Sequence, residues 1–273
     1  MATDYTAFGN AERVTLSGYS GDAMEPFLSR DGKYLFFNSL NDAPNNASED
    51  KNIYYATYVD GTTFAFQGVV GGVNTVVVDG VPTMDNTNTF YYVSTALYQP
   101  PNYASVYRGT FDGSSGNVSG IAPVANLAEG IAGHLNFDVE ISADGRTLYF
   151  ADGVFSGNPF PDVSDLAYAV DNGSGFVRNA AIMANLNTAD LEYAAGISAN
   201  GLELFFTRLS LSTLETTIYR ATRPDMASPF GPPQRVSAIS GFVEAPSLSP
   251  DEKSLYYHKN DGGKFVIYRV TRP

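Results

Sequence analysis

Five carboxylic acids, Glu25, Asp79, Asp138, Glu192 and Glu244, stand a few residues ahead of five similar steps in the chain. Counted back from Leu28, Met84, Ile141, Ile197 and Leu248, they lie at offsets of 3, 5, 3, 5 and 4. Four offsets are odd, and on an extended strand odd offsets share one side of the backbone. Carboxylates gathered at one opening would bind a cation, an amine or sugar hydroxyls. Two of them facing across a glycosidic bond could act as proton donor and as base or nucleophile. The residues expected for hydrolysis are Glu25, Asp138 and Glu192. For ligand binding, all five are expected together with His134. A competing structural reading gives these carboxylates to backbone N–H groups where strands begin.

Other chemistry is sparse. There are two histidines and no cysteine, which excludes thiolate metal sites, disulfides and Cys nucleophiles. His134 precedes Asp138 closely and could face the same opening, whereas His258 follows an aromatic pair and reads as a structural strand residue. No Gly-x-Ser-x-Gly elbow is present. The oxygen-rich runs Asp42 to Asn46 and Asp112 to Asn117 lack the alternating ligands of a calcium loop. No metal site and no cofactor are expected, beyond a cation that an acidic opening would itself attract.

The elements that must position these acids are read from self-similarity. Five segments align: EPFLSRDGKYLFFNS from Glu25, VPTMDNTNTFYYVS from Val81, DVEISADGRTLYFA from Asp138, AAGISANGLELFFT from Ala194 and APSLSPDEKSLYYH from Ala245. The five aligned apolar residues are spaced by 56, 57, 56 and 51 residues. Each segment predicts a β-hairpin: a strand, a turn such as Asp31-Gly32 or Asn200-Gly201, and a second strand carrying two aromatics. A third strand recurs behind each hairpin, as in Ile53 to Thr57 and Ile267 to Thr271. Three strands and a weaker fourth per period of about 55 residues describe the four-stranded blade of a β-propeller. The expectation is an all-β, five-bladed propeller of antiparallel blades forming one domain over residues 1–273. The blades fall at about 18–72, 73–126, 127–184, 185–239 and 240–273, the last completed by residues 8–17. That completion rests on an echo between Phe8 to Thr15 and Phe230 to Ser237: repeat five lacks an outer strand, and the N-terminus has one to spare.

The core Ser-x-Asp-Gly-x-x-Leu-aromatic-aromatic resembles the WD40-like (PD40-type) repeat of TolB-like propellers and covers essentially the whole chain. TolB-type relatives carry six blades and a separate N-terminal domain, so their partnership does not transfer to five repeats alone. The resemblance implies an exported protein, periplasmic or secreted, although Met1-Ala2-Thr3-Asp4 has no leader character and a cytoplasmic setting is the alternative. Five-bladed propellers also house arabinanase-type hydrolases.

Sixteen basic against 29 acidic residues give a net charge of −13, which disfavours nucleic acid and anionic membrane surfaces as partners. No apolar run is long enough to span a bilayer. Insertions between second and third strands, Asn41 to Asp50, Ala96 to Ala104 and Phe155 to Ser164, bring Tyr98, Tyr103, Phe155 and Phe160 to one face of the ring. With a complete scaffold and no nucleophile, the primary expectation is a monomeric, non-catalytic scaffold that binds a protein, peptide or carbohydrate. The alternative is a glycoside hydrolase using channel carboxylates.

Overall fold

The computed structural model describes residues 3–40, 50–101, 103–157 and 160–273. Residues 41–49, which hold most of the first insertion and the run from Asp42 to Asn46, lie outside the described residues. Among the described residues the strands form five sheets, one per repeat, in a five-bladed β-propeller. The innermost strands, lining the axis, are Met24–Leu28, Asp79–Met84, His134–Ile141, Leu191–Ile197 and Val243–Leu248. No helix among the described residues is long and apolar enough to cross a membrane.

The repeated turn has a local cause. In blade one, Ser29 Oγ donates to Asp31 Oδ1 at 2.7 Å, and the same serine accepts from the Tyr34 N–H at 2.9 Å. Gly32 then takes φ of 73°, a left-handed conformation that glycine adopts without penalty. Ser142 with Asp144, Ser198 with Asn200 and Ser249 with Asp251 repeat the clasp. The two turns without glycine keep the shape: Asn88 and Glu252 take φ of 64° and 58° at the glycine's position.

The aromatic pairs hold neighbouring blades together. Successive side chains on a strand point to opposite faces, so the first ring of each pair enters the following interface and the second the preceding one. Phe36 packs with Phe90 and Phe111 of blade two, while Phe37 packs with the cluster holding Tyr256 of blade five. Tyr149, Phe205 and Tyr256 repeat the first role, and Phe150, Phe206 and Tyr257 the second. Each such buried ring contributes about 1.5–3 kcal/mol.

Closure follows the expected route. Glu12–Arg13 is the outer strand of blade five, with Arg13 opposite Tyr268 and Glu12 opposite Arg269. The N-terminal segment goes further than the sequence indicated. Asp4–Tyr5 adds in parallel to the outer strand of blade four, and Thr15–Ser17 adds in parallel to that of blade one. Residues 4–17 therefore lace three successive blades.

Candidate functional site

Each inner strand carries a bulge at the same step. The pairing register shifts between Met24 and Phe27, Gly80 and Thr83, Phe137 and Glu140, Tyr193 and Gly196, and Glu244 and Ser247. At the bulge stand Glu25, Val81, Asp138, Ala194 and Ala245, with φ of 51°, 54°, 49°, 52° and 56°. A non-glycine residue in this left-handed region costs roughly 1–2 kcal/mol. Its recurrence makes it a property of the ring.

Clasps from the preceding blade hold this backbone in place. Asn38 Oδ1 accepts from the Val81 N–H at 3.0 Å, Thr207 Oγ1 from the Ala245 N–H at 3.1 Å, and His258 Nδ1 from the Glu25 N–H at 3.0 Å. All three residues directly follow the aromatic pair of their blade. Blade three has Ala151 there, whose side chain offers no acceptor; the Ala194 backbone lies instead by the Asp138 carboxyl and acts to lower its pKa.

The bulge sorts the five acids. Parity fails as a guide, because the register shift breaks the two-residue period between offsets four and one. Glu25 and Asp138 lie on the bulge and line a cavity of about 30 Å³ on the axis, with Glu140, Ala194, Ala245 and Pro246 around them. That volume holds one or two waters. Asp79 and Glu192 lie before the bulge and close turns. Asp79 accepts from the Thr75 N–H at 2.5 Å and its hydroxyl at 2.6 Å, and Glu192 accepts from Thr188 in the same way at 2.8 and 2.6 Å. Glu192 also pairs with Arg208. Both fit the structural reading, and the structure does not bring Glu192 into the cavity beside Glu25 and Asp138.

Glu244 stands one step before its bulge, facing the other two. It accepts from the Tyr193 hydroxyl and from His258 Nε2, the latter at 2.9 Å. Burial raises its pKa, but the bonds from His258 and Tyr193 outweigh it and leave the carboxyl below its ordinary range. Asp138 goes the other way. Burial pushes it well above 3.8, the Glu25 and Glu244 charges add to the rise, and Lys51 and the Ala194 backbone only partly oppose it. Lys51 Nζ lies 3.8 Å from Glu25 Oε1, while Glu25 Oε2 is buried with no hydrogen-bond partner.

His134 lies apart from this cavity, paired with Glu129 at 3.2 Å on the rim of blade three. The insertion aromatics pack largely on neighbours: Tyr98 on Tyr103, with its hydroxyl bonded to the His134 carbonyl, and Phe155 edge-on to Phe137. Phe160 remains exposed. Glu140, on the wall of the same cavity, is held by Arg30, which reaches its Oε1 at 2.8 Å and the Ile141 carbonyl, and by Thr83, which donates to its Oε2 at 2.7 Å. Glu140 is thus already engaged. Among the described residues, no group of three or more His, Asp or Glu side chains is placed to hold a metal ion. Sequence reasoning missed Tyr193, Lys51 and the role of His258, which carry no motif.

No family model and no curated protein matches the chain. Solved structures do. The chain is similar to a family 117 glycoside hydrolase from the marine bacterium Zobellia galactanivorans, with 14% identity, TM-score 0.60, and coverage of 97% of this chain and 90% of that one. It is similar to an endo-arabinase from Bacteroides thetaiotaomicron at 11% identity and TM-score 0.61, over 96% and 98% of the two chains. TolB from Acinetobacter baumannii matches at 14% identity and TM-score 0.52, over 92% of this chain. The chain spans 54% of that TolB's length, so the TolB resemblance holds at the level of fold. At these identities the likeness is one of fold. Even so, several of the matches of comparable length, these two among them, are glycoside hydrolases, which overturns the expectation of a non-catalytic scaffold and favours the alternative.

Proposed function

We propose that the protein hydrolyses a glycosidic bond at the mouth of its central channel, with Asp138 as proton donor and Glu25 as base. The observation that carries this reading is that Glu25 and Asp138 stand on equivalent bulges and line one cavity on the axis, where burial and the neighbouring carboxylates drive Asp138 toward its protonated form. A buried carboxyl beside like charges keeps its proton, which is the state a proton donor needs.

In the proposed step the Asp138 carboxyl gives its proton to the glycosidic oxygen as the bond from that oxygen to the anomeric carbon breaks. Glu25 takes a proton from the water that attacks the anomeric carbon, and its unpartnered Oε2 is free to accept it. Glu25 and Asp138 come from blades one and three, which are not adjacent. Attack by water with Glu25 as base is the inverting course, which needs room for that water between the base and the sugar. Glu244 stays ionised beside them and sustains the proton on Asp138. An exported setting, periplasmic or secreted, suits glycan substrates.

The test is reducing-sugar release from a panel of aryl glycosides and plant or algal polysaccharides. Wild type is expected to cleave at least one substrate, and Asp138→Asn and Glu25→Gln to lose about 10²–10⁴-fold in rate. Full activity in both variants would exclude the assignment.

A further inference from the structure

We infer that His258 is a positioning residue for the carboxyl groups of the channel mouth: its ring ties the Glu25 backbone of blade one to the Glu244 carboxylate of blade five. The inference deepens the hydrolase reading and rests on it for its catalytic meaning, while its geometry stands alone.

The hydrogen-bond pattern dictates the form of the ring. Nδ1 lies 3.0 Å from the Glu25 N–H, which can only donate, so Nδ1 must be the unprotonated nitrogen. Nε2 then carries the hydrogen and donates to Glu244 Oε2 at 2.9 Å. The imidazole is 1% exposed, with the Phe265 ring edge-on to it at 5.4 Å. The groups around this arrangement are Glu25 and Lys51 from blade one, Asp138 from blade three, Tyr193 from blade four and Glu244 from its own blade.

Comparison within the ring separates two tasks. Asn38 and Thr207 occupy the equivalent position in blades one and four and supply the acceptor for the next blade's left-handed residue; among the described residues, the Asn38 amide donates besides only to the Ser39 carbonyl next to it. His258 supplies that acceptor and, from its far nitrogen, a donor that reaches a carboxylate. An asparagine at 258 would keep the first task, as Asn38 does, and is too short for the second. Without the imidazole donor, Glu244 would ionise less readily and present less negative charge to Asp138. Asp138 would then release its proton at lower pH.

The experiment compares wild type, His258→Asn and His258→Ala by carboxyl carbon-13 NMR titration of Asp138, urea unfolding, and hydrolysis of the aryl-glycoside panel. Nitrogen-15 spectra of the two histidines are expected to show His258 as the Nε2–H form. His258→Asn is expected to unfold close to the wild-type urea midpoint and His258→Ala at a lower one. Asp138 is expected to titrate at lower pH in His258→Asn, with the basic limb of any pH–rate profile moving the same way. An Asp138 titration unchanged in His258→Asn, an Nδ1–H ring, or equal destabilisation by both variants overturns the positioning role. If the NMR shifts occur as expected while wild type cleaves no glycoside, the hydrolase reading falls and the positioning role stands.

Discussion

Glu25 and Asp138 occupy the same step of two different inner strands, each on a bulge and each left-handed, at φ of 51° and 49°. The equivalent places in the other blades are held by Val81, Ala194 and Ala245. One architectural device, repeated five times, thus presents side chains to the axis, and two of the five carry carboxyls. Placing a catalytic pair on rigid, over-determined strands is how a small site keeps its geometry.

Asp138 should lower the stability of the protein it serves. Its pKa is raised in the folded state, chiefly by burial. Below the ordinary value of 3.8 it is protonated whether folded or unfolded, and nothing is lost. As pH rises beyond that value the unfolded chain ionises while the folded one resists, so folding becomes less favourable. Asp138→Asn is therefore expected to raise the urea midpoint at pH 7 while lowering activity. The gain should fade as pH falls toward 3.8, which unfolding curves at several pH values will show.

Lys51 is expected to set the upper end of the pH range. Its charge opposes the rise in the Asp138 pKa. Lys51→Met removes that opposition, so Asp138 should keep its proton to higher pH. The basic limb of the pH–rate profile is expected to move upward, in the direction opposite to His258→Asn.

At the junction of blades four and five, Glu203 accepts from Arg272 at 2.6 Å and also pairs with Arg220. Burial raises its pKa, but the two guanidinium groups outweigh it and leave the carboxyl below 4.5. A depressed pKa contributes stability above pH 4.5 that is lost as pH falls through the folded value. Glu203→Gln should cost about 1.5–3 kcal/mol at pH 7. The two unfolding curves should converge in acid.

The N-terminal lacing should be as important to the ring as an internal strand. Phe8 is buried against Phe205, with ring centroids 5.9 Å apart, in the cluster that joins blades four and five. Phe8→Ala is expected to cost about 3–5 kcal/mol. Substituting the exposed Tyr58 on blade one should cost far less, and urea midpoints of the two variants test the contrast.

Much of this fold was legible because its signals are local and repeated. Ser-x-Asp-Gly encodes a hairpin turn through bonds among its own residues, and an aromatic pair can face two interfaces only from a strand. The missing outer strand of the last repeat pointed to Arg13, which does pair opposite Tyr268. The bulge was not legible: its left-handed residues are Glu, Val, Asp and Ala, and no glycine marks them. Counting offsets along an uninterrupted strand therefore grouped Asp79 and Glu192 with Glu25 and Asp138, although the first two close turns with Thr75 and Thr188. His258 was read as a structural strand residue because its second contact, Glu244, lies 14 positions away on the paired strand.

The central claim, that Asp138 donates the proton, is tested most directly by the dependence of rate on leaving group. A dinitrophenyl leaving group departs without protonation, whereas a sugar or alkyl alcohol needs it. Asp138→Asn is expected to lose about 10²–10⁴-fold on the poor leaving groups and almost nothing on the dinitrophenyl glycoside. An equal loss on both, or no loss on either, would contradict the account.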